Sequence, residues 1–552
     1  MKYTKACIRI FKPAFIIAAC MLFSACGAVP VSEPKGTIVQ YTLPPIQQDP
    51  VPVIGGELKF PIPNNPPTLN PLKIKNVEMF NLMSLIYEQP VRMGADGTAE
   101  PELAETWSVD STGTVWTFRL RKGVNWQRGK GEFTADDVVY TIGLIKSYSK
   151  ADSTYAQYNG MLKSYTAIDD NTVEITLSEP GNAAIYLMTF PVLCKAYCMG
   201  EDIDALTPLG TGPYAVEAYD RDRQMDLKAN ELWWRQPPYI QTLTAVCYPD
   251  HDTELVAFSQ NMIDFLTTSI LTVDTYKKYG IKKSSDYMTQ FYDCLVPNTA
   301  KGFFSDINMR RALAYALEKR EIVSKALLGH AVATDYPVAP DSYLSGGSSD
   351  IYEYNPQKAM TLLEQAGWKD RNDDGVLERV DGTQVTDIDI KLLIPLNKED
   401  TYRRDVSENI RTQLMRCGIR IEVVEEPYET YRQSLESGNF ELALCSFYVD
   451  HNPDISFMAA TGGSANYGSF SNERMDAVLK KCKTALSEVE MKNAYYEMEN
   501  LFMELLPQIS LYFKTNALLY DASINISGSM RDMNIYTTVP KWYLYVEEPQ
   551  LQ

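Results

Sequence analysis

The residues between positions 388 and 447 carry the pattern that most restricts how this chain can fold. Apolar strand candidates at 388–394, 419–424 and 440–447 alternate with helix candidates at 402–416 and 428–436. Strand and helix alternating in this way form a mostly parallel sheet with helices packed on its faces. The sequence therefore predicts an α/β fold for this part of the chain.

A polar stretch follows the last of these strands. Its residues are Tyr448-Val449-Asp450-His451-Asn452-Pro453. Ligands of open parallel sheets bind beyond the carboxyl ends of the strands, and Asp450 lies three residues past this strand. Tyr448, Asp450, His451 and Asn452 are therefore candidate ligand-binding residues. The alternative is that Asp450 is a turn residue or the N-cap of a helix at 455–459.

The length of the chain predicts more than one lobe. It has 552 residues, whereas a single hydrophobic core stops growing at about 250–300 residues. The sequence contains no Gly-x-Ser-x-Gly elbow, no His-Glu-x-x-His helix and no phosphate-binding loop, the motifs that carry common hydrolase and nucleotide chemistry. It therefore predicts no catalytic residues, and we do not expect an enzyme.

The N-terminus has the pattern of a secretory leader. Its first part contains four basic residues, Lys2, Lys5, Arg9 and Lys12. The apolar stretch after them, at 14–23, is shorter than the ~20 residues of a membrane-spanning helix. It ends in two small residues and Cys26, which resembles the bacterial lipobox and implies that Cys26 carries a lipid. We predict a signal peptide at 1–25 and a lipid-anchored, proline-rich linker at 26–52.

The chain becomes strongly acidic once the leader is removed. Loss of four of the 52 basic residues leaves 48 against 71 acidic residues, a formal net charge of −23. Nucleic-acid phosphates and anionic lipid surfaces both require basic patches on a protein. The charge therefore argues against a nucleic-acid partner and leaves the lipid as the only membrane attachment.

No metal site or cofactor is predicted. Seven cysteines follow Cys26, and we expect free, buried thiols because no second pair or nearby histidine completes a zinc set with Cys194 and Cys198. Residues 370–378 resemble a calcium loop, but Glu378 stands nine places into the loop instead of at the twelfth position. A tight acidic turn before a strand is the favoured interpretation, with a weak surface calcium site as the alternative.

Short motifs occur in a fixed order between positions 55 and 515. They are Gly55-Gly56, Thr68-Leu69-Asn70-Pro71, Pro101-Glu102-Leu103-Ala104-Glu105-Thr106-Trp107, Trp116-Thr117-Phe118-Arg119-Leu120-Arg121, Phe133-Thr134-Ala135-Asp136-Asp137-Val138, Gly210-Thr211-Gly212-Pro213-Tyr214, Trp234, Met309-Arg310-Arg311-Ala312-Leu313, Tyr354-Asn355-Pro356 and Leu506-Pro507-Gln508-Ile509. Each motif is weak alone, but their order is specific, and together they resemble the peptide/nickel class of extracellular solute-binding proteins, family 5. Asn261-Met262 departs from the Gly-Glu usual for that class, which concerns a local loop.

The resemblance implies a two-lobe periplasmic-binding-protein-like fold with an extra subdomain and a hinge between the lobes. Lobe I is expected to combine 53–75, 205–292 and 515–552, with subdomain II at 76–204 and lobe III at 293–514. The implied protein is a monomeric extracytoplasmic receptor, anchored to the cell membrane by its lipid. It captures di- or oligopeptides and delivers them by lobe closure to ABC permease subunits and their ATPases.

The resemblance also implies a role for Asp450. In peptide-binding members of the class, an aspartate at the matching position pairs with the α-ammonium group of the ligand. Since one fold hosts several functions, an oligosaccharide or a nickel chelate as the solute stays open. A signalling or adhesive role without transport stays open as well.

Overall fold

The structure is a computed structural model that describes residues 52–278, 280–346, 352–397, 402–450 and 452–545. The predicted leader, the predicted lipidation site Cys26 and the candidate residue His451 lie outside these ranges. The described residues belong to one compact unit. Within them, no helix is both long enough and apolar enough to cross a membrane.

Twenty-one strands occur in the described part of the chain. In chain order they are β1 Glu57–Pro63, β2 Val91–Met93, β3 Ala99–Pro101, β4 Ala104–Val109, β5 Val115–Leu120, β6 Leu162–Asp169, β7 Thr172–Leu177, β8 Tyr214–Asp220, β9 Gln224–Ala229, β10 Thr242–Tyr248, β11 Phe265–Thr268, β12 Lys282–Pro297, β13 Ala331–Ala333, β14 Glu378–Asp381, β15 Gln384–Asp387, β16 Asp389–Leu396, β17 Arg420–Pro427, β18 Leu442–Tyr448, β19 Ile509–Asp521, β20 Ile524–Asn525 and β21 Tyr543–Leu544.

Thirteen α-helices occur in the same described ranges. They are α1 Val77–Ser84, α2 Ala135–Ser147, α3 Ala183–Leu187, α4 Lys195–Cys198, α5 His251–Ser259, α6 Ile307–Ala316, α7 Lys319–Ala326, α8 Pro356–Gln365, α9 Tyr402–Met415, α10 Tyr428–Glu436, α11 Ser456–Ala459, α12 Glu473–Thr484 and α13 Glu488–Leu505. In α9, buried Val406, Ile410 and Leu414 recur every fourth residue, which is the spacing of a helix packed on one face.

The largest sheet confirms the predicted alternation of strands and helices. Strand β16 pairs in parallel with β17 on one side, Asp389 opposite Arg420, and with β18 on the other. Helices α9 and α10 form the connections between these strands. The order of the described sheet is β11-β19-β12-β18-β16-β17. It is mixed as a whole, because β12 and β19, from distant parts of the chain, pair antiparallel with their neighbours.

Two four-stranded sheets make up the rest of the main framework that the structure describes. One has the order β1-β10-β9-β8 and the other β4-β5-β7-β6. Helix α2 packs beside the second sheet and begins with a capping box formed by Thr134 and Asp137. The Thr134 N–H donates to Asp137 Oδ2 at 3.0 Å, which satisfies a donor at the helix start.

Buried apolar side chains form two large clusters, as the chain length predicts. One cluster packs around the largest sheet, with Tyr292, Leu392 and Phe513 fully buried. The other is shared by both four-stranded sheets and includes Phe60 and Phe118, which are also fully buried. Burying one such side chain contributes roughly 1.5–3 kcal/mol, so each cluster is a core in its own right. The residue boundaries of lobes I to III stay a prediction.

The acidic segment at 370–378 forms the tight turn that the sequence favours. The Gly375 N–H donates to Asp370 Oδ2 at 3.0 Å, and β14 begins at Glu378. In the described ranges, no group of three or more histidine, cysteine or acidic side chains is arranged to hold a metal ion. The seven cysteines that follow Cys26 are free, and six of them are buried.

Candidate ligand-binding cleft

A cavity of about 1090 Å³ receives side chains from distant parts of the chain. The stretches 154–161, 177–183, 448–457 and 532–537 contribute most of its wall. Cavities that hold drug-sized ligands measure about 300–1,000 Å³. This cavity therefore has room for an extended solute with several functional groups.

Three of the four candidate residues from the sequence line this cavity. They are Tyr448, Asp450 and Asn452, whereas His451 lies outside the described residues. Strand β18 ends at Tyr448, whose ring packs edge-on against Phe291 with the centroids 5.7 Å apart. The end of a sheet strand thus positions the polar stretch at the cavity, which is the placement expected for an α/β fold.

The carboxylate of Asp450 lies within electrostatic reach of four tyrosines, Tyr155, Tyr158, Tyr186 and Tyr448. Burial, followed by this carboxylate, raises the pKa of Tyr155, Tyr158 and Tyr448, so the three phenols stay protonated. Tyr155 lines the cavity, and its buried hydroxyl has no hydrogen-bond partner among the described residues. Asp450 therefore offers an acceptor to a solute, whereas the Tyr155 hydroxyl is buried away from the cavity surface.

Asp450 is not the N-cap of the helix that follows it. Helix α11 begins at Ser456, and Asp454 Oδ1 accepts the Ser456 N–H at 3.0 Å. Asp454 also lies 3.1 Å from Lys483 Nζ, and both residues line the cavity. The N-cap interpretation of Asp450 is therefore wrong, because Ile455 occupies the N-cap position of α11, and the interpretation as a turn residue stays open.

A buried carboxylate supports another part of the wall. Glu88 accepts hydrogen bonds at 3.0 Å from the indole N–H groups of Trp233 and Trp234. Burial and the neighbouring Glu102 raise the pKa of Glu88 to about 7. The next residue, Gln89, donates its N–H to Glu102 Oε2 at 2.9 Å, and both line the cavity. The two tryptophans therefore stabilise the main chain that carries Gln89 in the cavity wall.

A close main-chain contact borders the cavity where the stretch 177–183 meets the end of α12. A Cβ at Gly181 would lie 2.7 Å from the carbonyl oxygen of Lys483, so this approach requires glycine. Asn182 Nδ2 donates to the Cys482 carbonyl at 3.0 Å, and the Asn182 N–H donates to the Lys483 carbonyl at 3.2 Å. Residues about 300 positions apart in the chain are thereby joined.

Several residues of this wall carry no signal in the sequence. Tyr155, Asn182 and Asp532 all line the cavity, but none belongs to a motif or follows a strand of the predicted parallel sheet. Asp532 is 4% exposed, and burial raises its pKa to about 6. A local pattern does not reveal this residue, because its burial depends on segments that are distant in the sequence.

A family match accounts for most of this architecture. The model of the family described as bacterial extracellular solute-binding proteins, family 5 Middle, matches residues 98–469, which is more than half of the chain. The chain belongs to this family. This family 5 protein is therefore an extracellular substrate-binding receptor of the kind that serves ABC importers, and its family consists of receptors rather than enzymes.

The family 5 protein is similar to relatives of different specificity. It is 24% identical over 510 residues to the oligopeptide-binding protein AppA of Bacillus subtilis, which covers 89% of this chain and 92% of AppA. It is 28% identical over 319 residues to the nickel-binding periplasmic protein of Escherichia coli, 55% of this chain and 60% of that protein.

A solved structure shows the same fold. HbpA2 from Haemophilus parasuis superposes with a TM-score of 0.77 at 20% identity, over 89% of this chain and 100% of that one. The predicted two-lobe α/β fold is therefore confirmed.

Proposed function

We propose that this receptor captures di- or oligopeptides outside the cell membrane and delivers them to an ABC importer by closure of its lobes. The observation that carries the proposal is the position of Asp450 in the wall of the 1090 Å³ cavity, next to protonated tyrosines. The similarity to a protein named as oligopeptide-binding supports the same solute class.

In this proposal Asp450 binds the α-ammonium group of the peptide. A peptide enclosed in the cavity loses the water around that charge, and leaving the charge unpaired would cost several kcal/mol. A carboxylate fixed in the wall offsets the cost with a charge-assisted hydrogen bond. Tyr448, His451 and Asn452 contact the first residues of the peptide in this proposal.

The rest of the wall suits side chains of different shape. Met83, Met93, Met161 and Met533 line the cavity, and the flexible, polarizable thioether of methionine adapts to irregular apolar surfaces. A peptide held through its main chain needs no fixed side-chain sequence. We therefore propose a broad preference among short peptides.

The membrane attachment is part of the same proposal. Cys26 carries the lipid, the stretch 26–52 is the tether, and the receptor acts as a monomer at the outer face of the cytoplasmic membrane or in the periplasm. The predicted lobe I, subdomain II and lobe III close as rigid parts around the solute. Two small-residue positions before Cys26 and the prolines after it support this assignment.

Mass spectrometry of the solute released from the denatured, freshly purified protein tests the proposal. We expect short peptides with free amino termini. Each peptide should raise the thermal stability of the emptied protein, by ~2.7 kcal/mol at a hundredfold excess over its Kd. A released nickel chelate or oligosaccharide, with no stabilisation by a broad peptide panel, would contradict the peptide assignment.

A further inference from the structure

Asp532 is a second carboxylate in the wall of the cavity. It lies beyond β20 in the last part of the described chain, lines the cavity and is 4% exposed. The next residue, Met533, also lines the cavity and has a φ of +66°, a left-handed conformation that is rare for residues other than glycine. Such strained conformations persist where the surrounding structure fixes them, and they cluster at ligand sites.

The segment around Asp532 is fixed by contacts on several sides. The Asp532 N–H donates to the Met288 carbonyl at 3.0 Å, and Asn534 Nδ2 donates to the Met93 carbonyl at 2.7 Å. Arg531 Nη1 donates to the Ala95 carbonyl at 3.1 Å. The main chain that carries Asp532 is therefore fixed before a solute arrives, which lowers the entropic cost of binding.

The charge of Asp532 has no ion-pair partner among the described residues. The adjacent Arg531 directs its Nη2 to Asp341 Oδ1 at 3.2 Å instead. Burial raises the pKa of Asp532 to about 6, against the smaller opposing effects of the Met533 N–H and the Arg531 guanidinium. Burying a carboxylate without an ion-pair partner costs free energy, unless a ligand supplies a cation.

Asp532 and Asp450 lie at the same end of the cavity. After burial, the carboxylate of Asp450 and then that of Asp532 raise the pKa of Tyr448, so both lie within electrostatic reach of one hydroxyl. This end of the cavity therefore presents two carboxylates that can receive positive groups lying close together on one solute.

We propose that Asp532 binds the cationic side chain of the first residue of the peptide, so that the receptor prefers peptides that begin with lysine or arginine. The inference rests on the proposed function, since Asp450 binds the α-ammonium group of the same residue. A basic first residue carries both charges on one short scaffold, which matches two carboxylates beside one tyrosine.

Calorimetric titration of the full-length protein in detergent tests this with two peptides, Lys-Ala-Ala and norleucine-Ala-Ala, which differ mainly in the side-chain charge. We expect the wild type to bind the lysine peptide roughly ten- to a hundredfold more tightly, as for a charge-assisted contact. Asp532→Asn should bring the two affinities together while the affinity for the norleucine peptide changes little.

Glu499→Gln is the matched control. Glu499 is another buried carboxylate of raised pKa, 2% exposed, but it lies outside the cavity wall, so its replacement should leave the ratio of the two affinities unchanged. Equal wild-type affinities for both peptides overturn the inference and leave the proposed function standing. If neither peptide binds, the result contradicts both the inference and the proposed function. A ratio that survives in Asp532→Asn assigns the preference to another residue and also overturns the inference.

Discussion

The side-chain amide of Asn182 donates a 3.0 Å hydrogen bond to the main-chain carbonyl of Cys482. Both residues are buried, and Asn182 lines the cavity. The two residues belong to the predicted subdomain II and the predicted lobe III. We therefore expect this contact to stabilise the form in which these two predicted parts of the chain meet beside the cavity.

Asn182→Ala should weaken solute binding about two- to tenfold, because the enclosed form loses a hydrogen bond whose net contribution is about 0.5–1.5 kcal/mol. Solution scattering should give a larger radius of gyration for the solute-free variant than for the wild type. The control is Asn159→Ala, which removes a hydrogen bond of 3.0 Å to the Ile145 carbonyl within one subdomain. Equal effects of the two variants would show that the Asn182 contact has no special part in closure.

Asp450→Asn should weaken binding of a free peptide by roughly one to two decades in Kd, because it removes the charge of a hydrogen bond worth about 1.5–3 kcal/mol. N-acetylation of the peptide should weaken binding to the wild type by a similar factor and cost the variant much less. Calorimetry of the four combinations measures this coupling. An acetylation penalty of the same size in both proteins would be evidence against pairing of Asp450 with the ammonium group.

Glu499→Gln should change how stability depends on pH. Burial raises the pKa of Glu499 to about 8, although its Oε2 accepts the Gly346 N–H. Above its ordinary pKa the carboxyl group ionises in the unfolded chain but stays protonated in the folded one, so this group lowers the free energy of unfolding as the pH rises from about 4.5 to about 8.

The variant cannot ionise at this position and should lose less stability over that range. Thermal unfolding of both proteins at about pH 5 and about pH 8.5 measures the difference. Glu88 and Asp532 have raised pKa values in both proteins, so their contributions cancel in the comparison. Parallel curves for the two proteins would contradict a protonated, buried Glu499.

Cys26→Ser should release the protein from the membrane fraction, because the proposed lipid has no other attachment point and no described helix can span the membrane. Cell fractionation with an antibody to the protein measures the distribution. Cys20→Ser changes a cysteine inside the predicted leader and should leave the protein on the membrane. Retention of the Cys26 variant would rule out the lipid anchor.

The α/β fold and part of the cavity wall are local properties of the sequence. The spacing of Val406, Ile410 and Leu414 is enough to predict α9, since an amphipathic helix repeats its apolar face every three to four residues. Asp450 was predicted to lie at a ligand site for a similarly local reason, because it directly follows a strand of a parallel sheet.

Only the tertiary structure determines the burial of Asp532, the backbone conformation of Met533 and the contact of Asn182 with Cys482. The pKa of a carboxylate depends on how much water its surroundings exclude, and for Asp532 those surroundings come from segments hundreds of residues away. Hydrophobic spacing records which side of one helix or strand is buried. It does not record which distant surfaces meet, because that depends on how the two cores pack around the cavity.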